Sequence, residues 1–286
     1  MPNSDTDRSV VVTGASTGIG RACALHIDRL GWRVFAGVRK ESDAASLRAE
    51  ASARLIPVLL DVTEAASIQS ASQVVSSALG EAGLSGLVNN AGIPYGGPVE
   101  YLDLDEVRRL FEVNFFGVIA VTQALLPLLR KCRGRIVNMS SISGMVASPF
   151  VSPYSCSKFA LEALTDSLRV ELRPWHIQVS SVQPGAIETP IWDKAGSVLD
   201  DIVGTAPRAA LDLYGGAIRG MRPTFETHGI STAEVSEAVA HALTSAHPKT
   251  RYRIGVEGAV VRLFRWLPDR LRDRILASRL PKWGAM

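Results

Sequence analysis

Tyr154 and Lys158 stand four residues apart at the start of a helical pattern, so both project from one helix face across one turn. A free phenol titrates near pH 10, too high for proton transfer at neutral pH. A neighbouring ammonium stabilises the phenolate and lowers that value, which makes the pair a candidate general acid/base. Taken alone, a Tyr-x-x-x-Lys pair is also a common accident of a helix surface. A second chemical signal lies near the start of the chain. Thr13-Gly14-Ala15-Ser16-Thr17-Gly18-Ile19-Gly20 joins an apolar β-branched run to a helical pattern. Glycines at such a turn let backbone N–H groups approach a pyrophosphate, and the helix N-terminus favours its charge. Gly14, Ser16, Thr17, Gly18, Ile19 and Gly20 are therefore candidate dinucleotide contacts. The spacing is GxxxGxG instead of the common GxGxxG, so a purely structural tight turn is the alternative.

The cofactor type is argued from the second strand. An NAD site usually places Asp or Glu about 20 residues on, where it accepts from the adenosine ribose. Val38 holds that position, followed by Arg39 and Lys40. Valine cannot accept those hydrogen bonds, whereas a guanidinium suits a 2′-phosphate. NADP(H) is favoured and NAD(H) stays open, the alternative being that Arg39 and Lys40 are merely solvated.

The elements that must position these groups alternate between short apolar strands and amphipathic helices, which argues for βαβ units and a parallel sheet. Strands are expected at Val10–Thr13, Val34–Val38, Leu55–Leu60, Gly86–Asn89, Arg135–Met139, Gln178–Val182 and Arg251–Gly255. Helices are expected at Arg21–Leu30, Leu104–Cys132 and Ser155–Trp175. The fold class is α/β, a Rossmann-type doubly wound parallel sheet of about seven strands with helices on both faces. Residues 8–258 form one catalytic domain, and 259–286 form a basic helical tail. Between 188 and 230, Pro190, Pro207, Pro223 and six glycines interrupt the rhythm. That stretch is a candidate substrate loop or lid, or else a structural excursion.

The ordered motifs Thr13–Gly20, Asn89-Asn90-Ala91-Gly92, Asn114, Ser141, Tyr154/Lys158 and Pro184-Gly185 resemble the short-chain dehydrogenase/reductase family, over about residues 8–260. Ser141 lies thirteen residues before Tyr154, the spacing that family uses. The resemblance implies that Tyr154 is the proton donor or acceptor at the substrate oxygen. It implies that Lys158 binds the nicotinamide ribose and depresses the Tyr154 pKa, and that Ser141 holds the substrate oxygen. Asn114 would kink its helix and help to hold a proton-relaying water. Cofactor contacts carried over by resemblance are Asp61 and Val62 at the adenine, Asn90, Ala91 and Gly92 along the ribose, and Pro184, Gly185, Ile187 and Thr189 at the carboxamide. Thr17 departs from the basic residue that many NADP(H)-using members carry before the second glycine. The segment Ser152-Pro153-Tyr154-Ser155-Cys156-Ser157-Lys158-Phe159-Ala160-Leu161-Glu162 resembles the branch that contains retinol and steroid dehydrogenases.

With the apolar residues of the loop and Met145, Val146 and Phe150, this resemblance implies a lipophilic alcohol or carbonyl substrate. A 3-oxoacyl thioester reductase and a non-catalytic nicotinamide-binding regulatory protein are the alternatives. The family also implies a homodimer or homotetramer through the helices at Leu104–Cys132 and Ser155–Trp175.

With 286 residues, 47% hydrophobic and 21% charged, the composition suits a globular chain with a sizeable core. No uninterrupted apolar stretch approaches the roughly 18–20 residues of a membrane span. The polar start lacks signal-peptide order, and Cys23, Cys132 and Cys156 form no CxxC pair, so a reduced, cytoplasmic chain is expected. Five histidines share no metal-ligand spacing, and no metal is expected. The net charge of +3 divides unevenly. Residues 251–286 carry nine Lys/Arg against three Asp/Glu, or +6, which leaves −3 for residues 1–250. An acidic body argues against nucleic acid. In the tail, Val260, Phe264, Leu267, Leu271 and Ile275 form a helical stripe flanked by arginines. Such a helix can lie on an anionic membrane surface, or pack on its own subunit or a partner.

Overall fold

The computed structural model describes residues 8–185, 208–220, 230–255, 264 and 266–278. In chain order the first half runs β1 (Ser9–Val12), α1 (Gly18–Arg29), β2 (Arg33–Val38), α2 (Glu41–Glu50), β3 (Leu55–Leu59), α3 (Ala65–Leu79) and β4 (Gly86–Asn89). Then come α4 (Leu104–Phe111), α5 (Gly117–Cys132), β5 (Arg135–Met139), α6 (Ser152–Glu171) and β6 (Gln178–Pro184). The last described elements are α7 (Arg208–Gly220), α8 (Thr232–Thr244), β7 (Arg251–Ile254) and α9 (Asp269–Ser278). All strand pairs are parallel, in the order β3-β2-β1-β4-β5-β6-β7. Each expected strand is present to within one or two residues.

The sheet is apolar on both faces because helices cover both. Along β1 and β2, Val10, Val12, Val34 and Ala36 point to one side, with Ile27 of α1 and Val239 of α8. Val11 and Phe35 alternate to the other, with Val75 of α3 and Val121 and Leu125 of α5. Phe35 is fully buried, so Phe35→Ala would cost about 3–5 kcal/mol.

The stretch Leu104–Cys132 is helical throughout but not uniformly α. A π-turn at Glu112–Phe116 separates α4 from α5. The extra residue in that turn rotates Asn114 inward, and single π-turns of this kind recur at functional sites. By length and composition the same run is long and apolar enough to cross a membrane, although polar residues interrupt it. Its α5 portion buries Val118, Val121, Leu125, Leu128 and Leu129 in the protein's own core.

Candidate active site

β1 is flanked by β2 on one side and β4 on the other, so the chain reverses its winding there and opens a crevice at the strand C-termini. A cleft with about 850 Å³ of open volume, solvent at its mouth included, occupies this crevice. It is lined by Gly14, Ser16, Thr17, Ile19, Gly20, Val38, Arg39, Asp61, Val62, Asn90, Ala91 and Gly92, all but Val38 among the expected contacts and Val38 the strand-end position used to read the cofactor type. Gly37, Leu60, Ile93, Pro94 and Val113 line it too and carried no sequence signal beyond adjacency. Gly18, Tyr154, Lys158, Pro184 and Gly185 lie outside this lining, and Ile187 and Thr189 lie outside the described residues.

The turn at the cleft floor fits a dinucleotide's close approach. Gly14 has φ +65°, and a Cβ there would sit 2.8 Å from the Ala91 Cα. A Cβ on Gly20 would sit 2.2 Å from the Gly14 carbonyl oxygen. Only glycine allows this packing, which brings the amide end of α1 to the cleft with no acidic residue in its first turn. Thr13, which sequence reasoning did not single out, stitches the floor together. Its Oγ1 accepts from the amides of Asn90 (2.9 Å) and Ala91 (3.0 Å). The Asn90 side-chain amide donates to the carbonyls of Thr13 (3.0 Å) and Gly14 (3.1 Å). Asn90 thus borders the cleft while its side-chain donors brace the glycine turn.

At the adenosine end, Asp61 Oδ1 accepts from the Thr63 amide (3.0 Å) and hydroxyl (2.7 Å). Burial pushes the Asp61 carboxyl up, but these bonds and the Arg39 charge outweigh it and hold the group below its ordinary value. Arg39 and Asp61 therefore share one mouth of the cleft.

The other end leads to the catalytic candidates. A Cβ built on Gly92 would lie 3.6 Å from Lys158 Nζ and 3.4 Å from Asn114 Oδ1. Asn114 is fully buried by its π-turn. Its Oδ1 accepts from the Ile93 amide (2.8 Å), and its Nδ2 donates to the Ile93 carbonyl (3.0 Å) and Ser157 Oγ (3.1 Å). It locks the loop after β4 to α6. Lys158 Nζ donates to the Met139 carbonyl (2.8 Å) and lies 5.6 Å from the Tyr154 ring centroid.

Ser141 and its neighbour Ser140 face different ways. Ser141 caps a short 3₁₀ turn at Ile142–Gly144, its Oγ accepting from the Ser143 amide at 3.1 Å, and its hydroxyl lies beside the Tyr154 phenol. Ser140 Oγ faces Gly144 instead, where a Cβ would lie 2.9 Å from it. The Tyr154 pKa differs from expectation. Burial pushes the phenol up to about 12, with the neighbouring Ser141 hydroxyl opposing. Burial also pulls Lys158 down to about 8, with the Glu162 carboxylate opposing. Lys158 donates to the Met139 carbonyl, and desolvation is the dominant cause at both groups.

Toward the substrate side, α7 is what is described of the 188–230 stretch, apart from Ile230. Tyr214 on it meets Phe150 and Tyr101 edge-to-face, each at 6.1 Å between centroids. Its hydroxyl donates to Glu100 Oε2 at 3.0 Å. Among the described residues no cluster of His, Cys, Asp and Glu could hold a metal ion.

The arrangement is a glycine-floored cleft with a buried lysine next to its Gly92 end and a tyrosine and a serine beyond it, a layout suited to a nucleotide-dependent oxidoreductase. The sequence profile of the short chain dehydrogenase family matches residues 8–199. A 17-beta-hydroxysteroid dehydrogenase type 6 from Bos taurus is 39% identical over 285 residues, covering 96% of this chain and 90% of that protein. Retinol dehydrogenase 5 from Mus musculus is 38% identical over 287 residues, covering 97% and 90%. The crystal structure of a short-chain dehydrogenase from Streptomyces avermitilis superposes with a TM-score of 0.78 at 27% identity, covering 96% of each chain. The chain belongs to the short-chain dehydrogenase family, and its activity is that of a dehydrogenase acting on a CH–OH group with NAD(P) as acceptor.

Proposed function

We propose that the enzyme interconverts a lipophilic alcohol and its ketone or aldehyde, with NADP(H) preferred over NAD(H). The observation that carries the reading is Tyr154 with Lys158 one turn further along α6, the Lys158 Nζ lying 5.6 Å from the Tyr154 ring centroid and next to the Gly92 end of the cleft. The relatives named for retinol and 17-beta-hydroxysteroids, and the Phe150–Tyr214–Tyr101 aromatic group, support a lipophilic substrate. Arg39 at the adenosine mouth supports the 2′-phosphate.

The glycine turn, Arg39, Asp61 and Lys158 would hold the dinucleotide, which when bound exchanges hydride with the substrate carbon. Ser141 Oγ donates to the substrate oxygen and holds it within reach of Tyr154. Tyr154, protonated throughout the neutral range with its phenol at about 12, gives its proton to that oxygen in carbonyl reduction. In alcohol oxidation it takes the proton back. That direction requires positive charge near the phenolate, and the Lys158 ammonium is the side chain placed to bring it. Asn114 keeps the loop after β4 and α6 in fixed relation, so the two halves of the site do not drift apart.

The test is initial-rate measurement with NADPH and NADH on a panel of retinoids, hydroxysteroids and ketosteroids beside a 3-oxoacyl thioester. Turnover confined to the lipophilic alcohols and carbonyls is expected. Activity on the acyl thioester alone overturns the substrate class, and a clear NADH preference overturns the Arg39 reading. The enzyme is further proposed to be cytoplasmic and a homodimer or homotetramer, which sedimentation velocity tests. The tail is proposed to touch anionic membrane surfaces. Trp266 is 81% exposed, and α9 sets exposed Leu271 between Arg270 and Arg272. Co-sedimentation with anionic liposomes, compared with a chain ending near Gly258, tests this. Equal binding by both eliminates it.

A further inference from the structure

One turn beyond Lys158 on α6, Glu162 is 7% exposed, and the hydride and proton chemistry makes no direct use of it. A buried carboxylate is costly unless it is paired and hydrogen-bonded. Its partners come from two other elements. Oε1 accepts from Ser181 Oγ on β6, and Oε2 accepts from Arg251 Nε on β7 at 2.9 Å. Arg251 is in turn held by Asp166 at 2.6 and 2.7 Å, and Asp166 by Arg169 at 2.6 Å. The carboxylate is thus clamped from the far edge of the sheet and cannot swing toward solvent. On its other side, a Cβ at Gly144 would lie 3.1 Å from Glu162 Cγ and 3.0 Å from the Lys158 carbonyl oxygen. The turn that carries Ser141 therefore packs directly on the Lys158–Glu162 turn of α6.

Lys158 is 4% exposed, and its hydrogen bond to Met139 is to a neutral carbonyl. Among the described residues, the titratable and charged groups facing it are Tyr154 and Glu162 on its own helix, with Arg251 of β7 behind Glu162. The π-turn, β5 and β6 present Asn114, the Met139 carbonyl and Ser181, all uncharged. Burial favours the neutral amine, and Glu162 is the negative charge that opposes this.

We propose that Glu162, clamped by Arg251 and Ser181, is a positioning residue for the reaction that keeps Lys158 as an ammonium aimed at the Tyr154 end of the cleft. The proposal rests on the reading of Tyr154 and Lys158 as the proton-transfer pair, but its test does not need the substrate. The chain has only six lysines, so lysine 13Cε resonances of the labelled whole protein can be followed with pH, and Lys158→Met assigns the Lys158 signal. In the parent protein Lys158 should titrate near 8. In Glu162→Gln it should titrate lower by about one pH unit or more, with Glu162→Asp between the two. With an active substrate in hand, the alkaline fall of kcat/KM in carbonyl reduction should move to lower pH by the same amount. A lowered Tm with an unmoved Lys158 titration would make Glu162 purely structural and overturn the proposal. Should Glu162→Gln fail to fold, Arg251→Gln decides. Freed of the guanidinium, the carboxylate acts on Lys158 uncompensated, and Lys158 should titrate higher. An unchanged or lower value there overturns the proposal as well. A clear NMR shift in a protein inactive on every alcohol would sink the functional reading and leave the electrostatic one standing.

Discussion

The glycine cleft at β1/β4 and the catalytic corner on α6 stand side by side but are built by different physics. The cleft is a shape made of backbone. Gly14 and Gly20 permit close approach, Thr13 and Asn90 brace the turn, and Arg39 and Asp61 set charge only at the mouth. The corner is a balance of buried groups. Burial raises the Tyr154 phenol and lowers the Lys158 ammonium, and Glu162 is held by partners on β6 and β7. Damage to the first should therefore appear as lost dinucleotide binding. Damage to the second should appear as lost turnover or an altered pH response.

The contrast is sharpest at Tyr154. Tyr154→Phe removes the proton and should reduce kcat by about 10²–10⁴-fold, with dinucleotide affinity by fluorescence titration nearly unchanged. Equal losses in binding and turnover would dissolve the distinction between the two regions. Gly20→Ala is its counterpart. The added Cβ meets the Gly14 carbonyl oxygen at 2.2 Å and the Asn90 amide at 2.3 Å. Overpacking of this kind costs about 1–3 kcal/mol. Dinucleotide affinity should weaken by about tenfold to a hundredfold. A protein that binds normally would show that the turn can give way.

A third test addresses what couples the two regions. Asn89 Nδ2 donates to Asn138 Oδ1 (2.9 Å) and Thr122 Oγ1 (3.1 Å), and Asn138 Nδ2 donates to Thr165 Oγ1 (2.8 Å). This buried chain joins β4, β5, α5 and α6. Asn138→Ala leaves the Asn89 donor and Thr165 with fewer partners and should destabilise the fold by about 2 kcal/mol in urea melts. A change under about 0.5 kcal/mol would mean the network is dispensable. The smallest effect is expected at the mouth. Arg39→Ser should lower the NADPH-to-NADH ratio of kcat/KM by about tenfold, the worth of one charge-assisted hydrogen bond at an exposed site. An unchanged ratio would remove Arg39 from cofactor choice.

Much of this was legible from residue order. Runs such as Val10–Val12 and Leu87–Val88 are apolar on both faces, which only a covered parallel strand tolerates. The glycine turn and the Tyr154/Lys158 pair are each ambiguous alone, and with Ser141 they stand out only through the ordered set of motifs that resembles the family. Leu104–Cys132 reads as one helix because its apolar pattern is continuous. The π-turn that turns Asn114 inward leaves no periodic signature, since it shifts the ladder by a single residue. Thr13 is an ordinary residue in an apolar strand until Asn90 and Ala91 fold over it.

Local pattern, then, was enough for a doubly wound parallel sheet, and ordered motifs marked the candidates for a dinucleotide turn and a proton donor. Each depends on side-chain type and periodicity within one element or one turn. The protonation balance of the site was not available at that level. A Tyr-x-x-x-Lys spacing suggests a lowered phenol pKa, yet burial raises it to about 12. Likewise Glu162 meets Arg251 across 89 positions of the chain, on a strand at the opposite sheet edge from β3. Desolvation and Coulomb attraction depend on what the whole fold brings around a charge, and these distances exist only once β6 and β7 have closed behind α6.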